Sequence, residues 1–155
     1  MRATEFLAEL FDAVYPYERS MNGGYFYDNK DVRVTVQMDE MLADTLAVAF
    51  NRNFRFDASG AGDQYRILAT VVKIIKEWLA QAKPAALTFS SKSDDASRMK
   101  LYTKMVNKIS PSVGYVNVTN NIDSVTDDKI RRNLHSLATS YPGYEIFALV
   151  RKDLV

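Results

Sequence analysis

Apolar positions recur along the chain with different periods, and each period predicts an element. Over residues 4–14, Phe6, Leu7, Leu10, Phe11 and Val14 share one side at helical spacing, and Thr4 is placed to cap them. An amphipathic helix that ends before Pro16 is expected there. The stretch GGYFYDNKDVRVTVQMD then alternates, with Val32, Val34 and Val36 set against Arg33, Thr35 and Gln37 beyond an Asn-Lys-Asp turn. That is the pattern of a hairpin with one wet face. TLAVAF (45–50), the turn Asn51-Arg52-Asn53 and FRFDA (54–58) predict a second hairpin, which completes a four-stranded antiparallel meander.

The texture changes at SGAGDQ (59–64), where small residues lead into a long helical run from Tyr65 to Ala82. Ile67, Val71, Ile74, Ile75, Trp78 and Leu79 form a broad apolar stripe there, widened by Leu68 and Val72, so this helix is expected to be mostly buried, Trp78 included. Lys83-Pro84 closes it. AALTFSS (85–91) has the continuous apolar character of a central strand, and its flanking helices point to parallel pairing. A second amphipathic helix follows, with Asp94, Asp95 or Ser97 as caps and Leu101, Tyr102, Met105, Val106 and Ile109 on one side. YVNVT (115–119) predicts a strand, Ile130, Leu134 and Leu137 a short helix over 127–138, and YEIFALVRK (144–152) a last strand after the Tyr141-Pro142-Gly143 turn. The expected fold class is α/β with a mixed sheet in one domain, 1–155: an antiparallel four-stranded meander, then helix, strand, helix, strand and strand, with helices on both faces.

Composition narrows the chemistry more than the fold. The chain is 47% hydrophobic and 25% charged and has no Cys. Disulfide frameworks, Cys-ligated zinc and thiol catalysis are excluded, and a cytoplasmic location is expected. His135 is the single histidine, so no metal site is expected. The segment MRATEFLAELFDAVYP lacks the apolar run of a signal peptide, and no apolar stretch approaches 18 residues, so no membrane association is expected. The formal net charge is +1. That makes nucleic acid an unexpected partner, and the best local patch for one is Lys92, Arg98, Lys100, Lys104 and Lys108.

Ser59-Gly60-Ala61-Gly62 sits between an expected strand and a helix, where free backbone N–H groups and the helix dipole suit an anion. An ordinary helix entry capped by Asp63 explains the same residues. The loop is not a P-loop, because Asp63 and Gln64 follow Gly62 where Lys-Ser or Lys-Thr would be needed. Tyr15, Tyr17, Tyr25, Phe26 and Tyr27 form an aromatic cluster that suits either a groove or the closed end of the sheet.

Element order and loop together resemble the GNAT superfamily of acyl-CoA-dependent N-acetyltransferases. The family loop reads Gln/Arg-x-x-Gly-x-Gly/Ala, and Asp57-Ala58-Ser59-Gly60-Ala61-Gly62 has two glycines at that spacing. Ser97, Leu101-Tyr102 and Gly114-Tyr115 resemble the family's later helix and the strand after it, and the likeness spans about residues 24–152. The resemblance implies acetyl-CoA as donor, an amine acceptor, and a diphosphate held by Gly60, Ala61, Gly62, Asp63 and Gln64 with Arg98 nearby. It also implies Tyr102 as the acid that protonates the departing thiolate. Asp57 is the candidate base acting through water, with Asp39 and Glu40 as alternatives. Three features depart from the family pattern. Asp57 stands in place of a basic or amide residue, twelve residues separate Tyr102 from Gly114, and the helix at 127–138 is inserted before the last strand. ILATVVKIIKEWL followed by SRMKLYTKM is also similar to small bacteriophage-encoded proteins. Two functions are therefore expected: an acetyltransferase, or a non-catalytic binding or structural protein on the same scaffold with a protein partner or self-association.

Overall fold

The computed structural model describes residues 14–51, 61–110 and 113–155. Seven strands form one mixed sheet: β1 (Tyr17–Ser20), β2 (Gly23–Tyr27), β3 (Arg33–Leu42), β4 (Thr45–Asn51), β5 (Ala86–Lys92), β6 (Tyr115–Asn117) and β7 (Tyr144–Arg151). Their order across the sheet is β1-β2-β3-β4-β5-β7-β6. Every neighbouring pair is antiparallel except β4 and β5, which are parallel. Three helices complete the described fold: α1 (Ala61–Ala82), α2 (Ala96–Ile109) and α3 (Asp128–Ser140).

The alternation in the sequence explains the meander. Val34, Val36 and Met38 of β3 are buried with Phe26 of β2 against α1, while Arg33, Gln37 and Asp39 face solvent on the other side. Asp28 fixes the β2–β3 turn by accepting hydrogen bonds from the backbone N–H groups of Lys30 (2.8 Å) and Val32 (3.0 Å). Gly23 and Gly24 are required by close approach. A Cβ on Gly23, at φ +154, would lie 2.0 Å from the Val36 carbonyl oxygen, and one on Gly24 would lie 3.3 Å from the Ile74 side chain of α1.

From β5 onward the sheet is sandwiched. Leu87, Phe89, Phe147 and Leu149 pack with α1 and α2, whereas Ala86, Ala148 and Val150 pack with Ile130 and Leu134 of α3. The helices thus lie on both faces. Asp95 caps α2 by accepting from the Arg98 N–H (3.0 Å), and Asp127 caps α3 by accepting from the Ile130 N–H (3.0 Å). At the end of α1, Lys83 adopts a left-handed conformation (φ +48) and its N–H bonds the Leu79 carbonyl at 3.0 Å, just ahead of Pro84.

Several expectations are corrected. The meander starts one strand earlier, because Tyr17–Ser20 is an edge strand and its mostly exposed residues left no apolar pattern to read. Its fourth strand is Thr45–Asn51, which returns from β3 through Ala43-Asp44 and has β5 as its other neighbour. Asp39 and Glu40, the alternative bases, lie within β3, which runs on past the end of the alternating pattern. The long helix begins at Ala61, so Ala61, Gly62, Asp63 and Gln64 form its first turn where a loop over 59–64 was expected. Trp78 is half-buried at the rim, and its indole N–H reaches the Met21 carbonyl at 3.4 Å. The helix expected over 4–14 apart from Val14, the strand expected at 54–58, and Asp57 and Gly60 lie outside the described residues.

Candidate functional site

The seam between β4 and β5 is the one parallel join among the described strands. Each strand has seven residues, but only Thr45↔Ala86, Leu46↔Leu87 and Ala47↔Thr88 pair across it. At the last of these rungs the Thr88 hydroxyl donates to the Leu46 carbonyl at 3.1 Å. Beyond it, residues 48–51 of β4 keep pairing with β3, and residues 89–92 of β5 keep pairing with β7. They no longer pair with each other. Four residues of strand, about 13 Å, thus leave a mouth in the ladder, edged by backbone groups that lack a ladder partner across the seam.

The two sheet faces give this mouth different walls. On the helical side Phe89, the first β5 residue past the last rung, is 1% exposed and packs on Tyr102 of α2 with ring centroids 5.6 Å apart. Tyr102 also meets Phe147 edge-on at 5.9 Å. Tyr102 lies on the buried stripe of α2 that helical spacing predicts, and burial raises the pKa of its phenol above the ordinary value, with Arg98 opposing and Asp95 reinforcing the shift. The hydroxyl stays protonated at neutral pH. On the other side, Asp39 lies on β3 opposite Ala47, which is itself opposite Thr88. It is exposed, one strand from the seam, and on the face away from Tyr102.

The remaining expected site residues separate from this group. Glu40 is exposed near the far end of β3, opposite Leu46. Arg98 is in the first turn of α2, where it pairs with its own cap residue Asp95 at 3.8 Å. His135 is exposed on α3 and bonds Asp123 at 2.8 Å. The aromatic cluster is divided between faces: Tyr15 and Phe26 stack inside the core (5.7 Å), while Tyr25 and Tyr27 lie on the open side, with the Arg33 guanidinium 4.1 Å from the Tyr25 ring centre.

A second polar cluster had no signal in the sequence, because its members are nearly sixty residues apart. Glu77 of α1 accepts from Arg19 at 2.5 Å and from the Tyr17 hydroxyl beside a cavity of about 60 Å³ bordered by Trp78 and Gln81. The Tyr17 hydrogen bond, followed by that of Arg19, holds the Glu77 carboxyl below its usual pKa despite partial burial. The pair ties β1 to α1. Among the described residues no group of His, Asp and Glu is placed to hold a metal ion, and no helix is long and apolar enough to cross a membrane. The chain matches no protein-family model, no curated protein and no solved structure.

Proposed function

We propose that the chain is a GNAT-like acyltransferase that moves an acetyl group from acetyl-CoA to an amine, with the donor's thioester arm lying in the mouth between β4 and β5. The observation that carries the reading is the parallel β4–β5 seam that stops after three rungs. An extended arm bearing amides, such as that of coenzyme A, can satisfy strand-edge N–H and C=O groups as a neighbouring strand would. The order of elements around the seam, a long helix after β4 and a second helix after β5, supports the same reading.

The chemistry divides between the two faces. The neutral amine attacks the thioester carbonyl, the C–N bond forms, and the C–S bond breaks as the tetrahedral intermediate collapses. Tyr102, kept protonated by burial, gives its proton to the leaving thiolate from the helical side. Asp39 takes the proton lost by the amine through a water on the open side. A second reading, a non-catalytic binding protein on this scaffold, draws support from Tyr102 being only 6% exposed between Phe89 and Phe147.

Thermal denaturation with acetyl-CoA distinguishes the two. At a hundredfold excess over the dissociation constant, binding adds about 2.7 kcal/mol of stability. No shift at millimolar acetyl-CoA overturns the acyltransferase reading. With an amine panel and a thiol-release assay, Tyr102→Phe is expected to keep the thermal shift and lower turnover on the order of a hundredfold.

A further inference from the structure

We infer that the outward side of the α1–α2 layer is a binding surface for the phosphate backbone of nucleic acid. Charge is unevenly spread along the chain. Residues 65–110 hold nine Lys and Arg against three Asp and Glu, whereas the remainder holds eleven against sixteen. The near-neutral total therefore conceals a cationic segment and an anionic remainder, an asymmetry that a whole-chain sum cannot show.

The fold gathers part of that excess onto one surface. α1 and α2 lie on the same sheet face and touch each other. Helical periodicity turns Lys73 and Lys76 of α1, and Lys100 and Lys104 of α2, away from the buried stripes. Lys73, Lys100 and Lys104 are exposed and Lys76 is half-buried. Lys76, Lys100 and Lys104 belong to no ion pair among the described residues, while Lys73 lies near enough to Glu77, one turn on, to help lower its pKa. Two of the segment's carboxylates are already engaged, Glu77 with Arg19 and Tyr17, and Asp95 with the start of α2. The third, Asp94, precedes the helix and its cap residue, six residues before Lys100 and ten before Lys104.

The chemistry of this surface fits a polyanion read without regard to sequence. Lys100 and Lys104 are one turn apart, and the exposed side chain of Ser97 shares their strip, adding a neutral donor to the cations, while the Asn107 side-chain oxygen accepts from Asn117 of β6 at 3.2 Å. An anionic membrane fits less well. Among the described residues the large exposed apolar side chains, such as Met21, Tyr27 and Tyr144, lie outside the three helices, so no apolar anchor accompanies the lysines there. The surface is on the helical layer and is independent of the acyl-CoA reading.

Fluorescence anisotropy with a labelled 30-base-pair DNA duplex, from 50 to 200 mM KCl, tests the inference. Four phosphate contacts predict a log–log salt slope of about −3.6. The double variant K100E/K104E is expected to bind at least tenfold more weakly, with the slope reduced by about two. Lys129→Glu, on α3 across the sheet, is expected to change affinity less than twofold. Both lysines are exposed; should the double reversal unfold, Lys100→Gln with Lys104→Gln gives a smaller loss in the same direction. No binding at 50 mM KCl, binding unchanged by both double variants, or stronger retention on phosphatidylserine vesicles than on the duplex would each overturn it.

Discussion

From β1 to β4 the sheet is packed on one face by α1, and its other face presents Arg33, Gln37, Asp39 and Ala49 to water. From β5 to β6 it is packed on both faces, by α1 and α2 on one side and α3 on the other. The two halves are hydrogen-bonded into one sheet, yet the same residue type has opposite meanings in them. Ala49 on β4 and Ala148 on β7 point to the same side; one is exposed and the other is 0% exposed beneath α3. Cover, rather than strand membership, decides what a position tolerates.

The sharpest way to break the comparison is one substitution made twice. Ala148→Gln places a polar side chain in a filled, apolar layer and is expected to destabilise by about 3 kcal/mol in urea unfolding. Ala49→Gln meets only solvent and is expected to stay within about 0.5 kcal/mol of the parent. Equal effects would mean that the open face is covered.

A smaller effect is expected from Tyr115, on β6 in the covered half. Its hydroxyl donates to the Pro84 carbonyl at 2.6 Å, and burial pushes its pKa up to about 12. Tyr115→Phe removes that bond and is expected to cost about 1 kcal/mol at neutral pH. The alkaline limb has a definite sign. The unfolded phenol ionises near pH 10 while the folded one does not, so the stability due to this group is complete below pH 10 and is lost as pH rises toward 12. That loss amounts to roughly 2–3 kcal/mol. In Tyr115→Phe that part of the decline is absent from stability measured against pH.

A change as small as that of Tyr115→Phe at neutral pH is expected at the cap of α3, the helix that distinguishes the covered half. Asp127→Ala leaves the Ile130 N–H without its side-chain acceptor and is expected to cost about 1 kcal/mol, read as a lower urea midpoint at constant slope.

The same contrast explains what could be read from residues alone. A strand wet on one face writes an alternating pattern, so Val34, Val36 and their polar neighbours mark β3 directly, and a strand buried on both faces writes the apolar run of β5. An edge strand writes almost nothing, which is why Glu18, Arg19 and Ser20 gave no hint of β1. Small residues misled for a related reason: Ala61 and Gly62 have the composition of a turn, although the chain is already helical there. Of the candidate site, Tyr102 was legible because helical spacing places it on the buried stripe. Its contact with Phe89, and the unequal length of the β4–β5 ladder, were not, because pairing between strands depends on partners that no local window contains.

The lower end of the seam is also clasped from outside the ladder. Asn133 of α3 donates to the Ala43 carbonyl at 3.1 Å and to the Thr45 hydroxyl at 3.2 Å, linking the β3–β4 turn to the helix that rests on β7. The clasp and the three paired rungs thus fasten the same end of the seam, like the spine that holds two covers. Its other end, toward Asn51 and Lys92, is tied only through β3 and β7, so anything entering between the strands there meets the sheet where its own ladder offers least resistance.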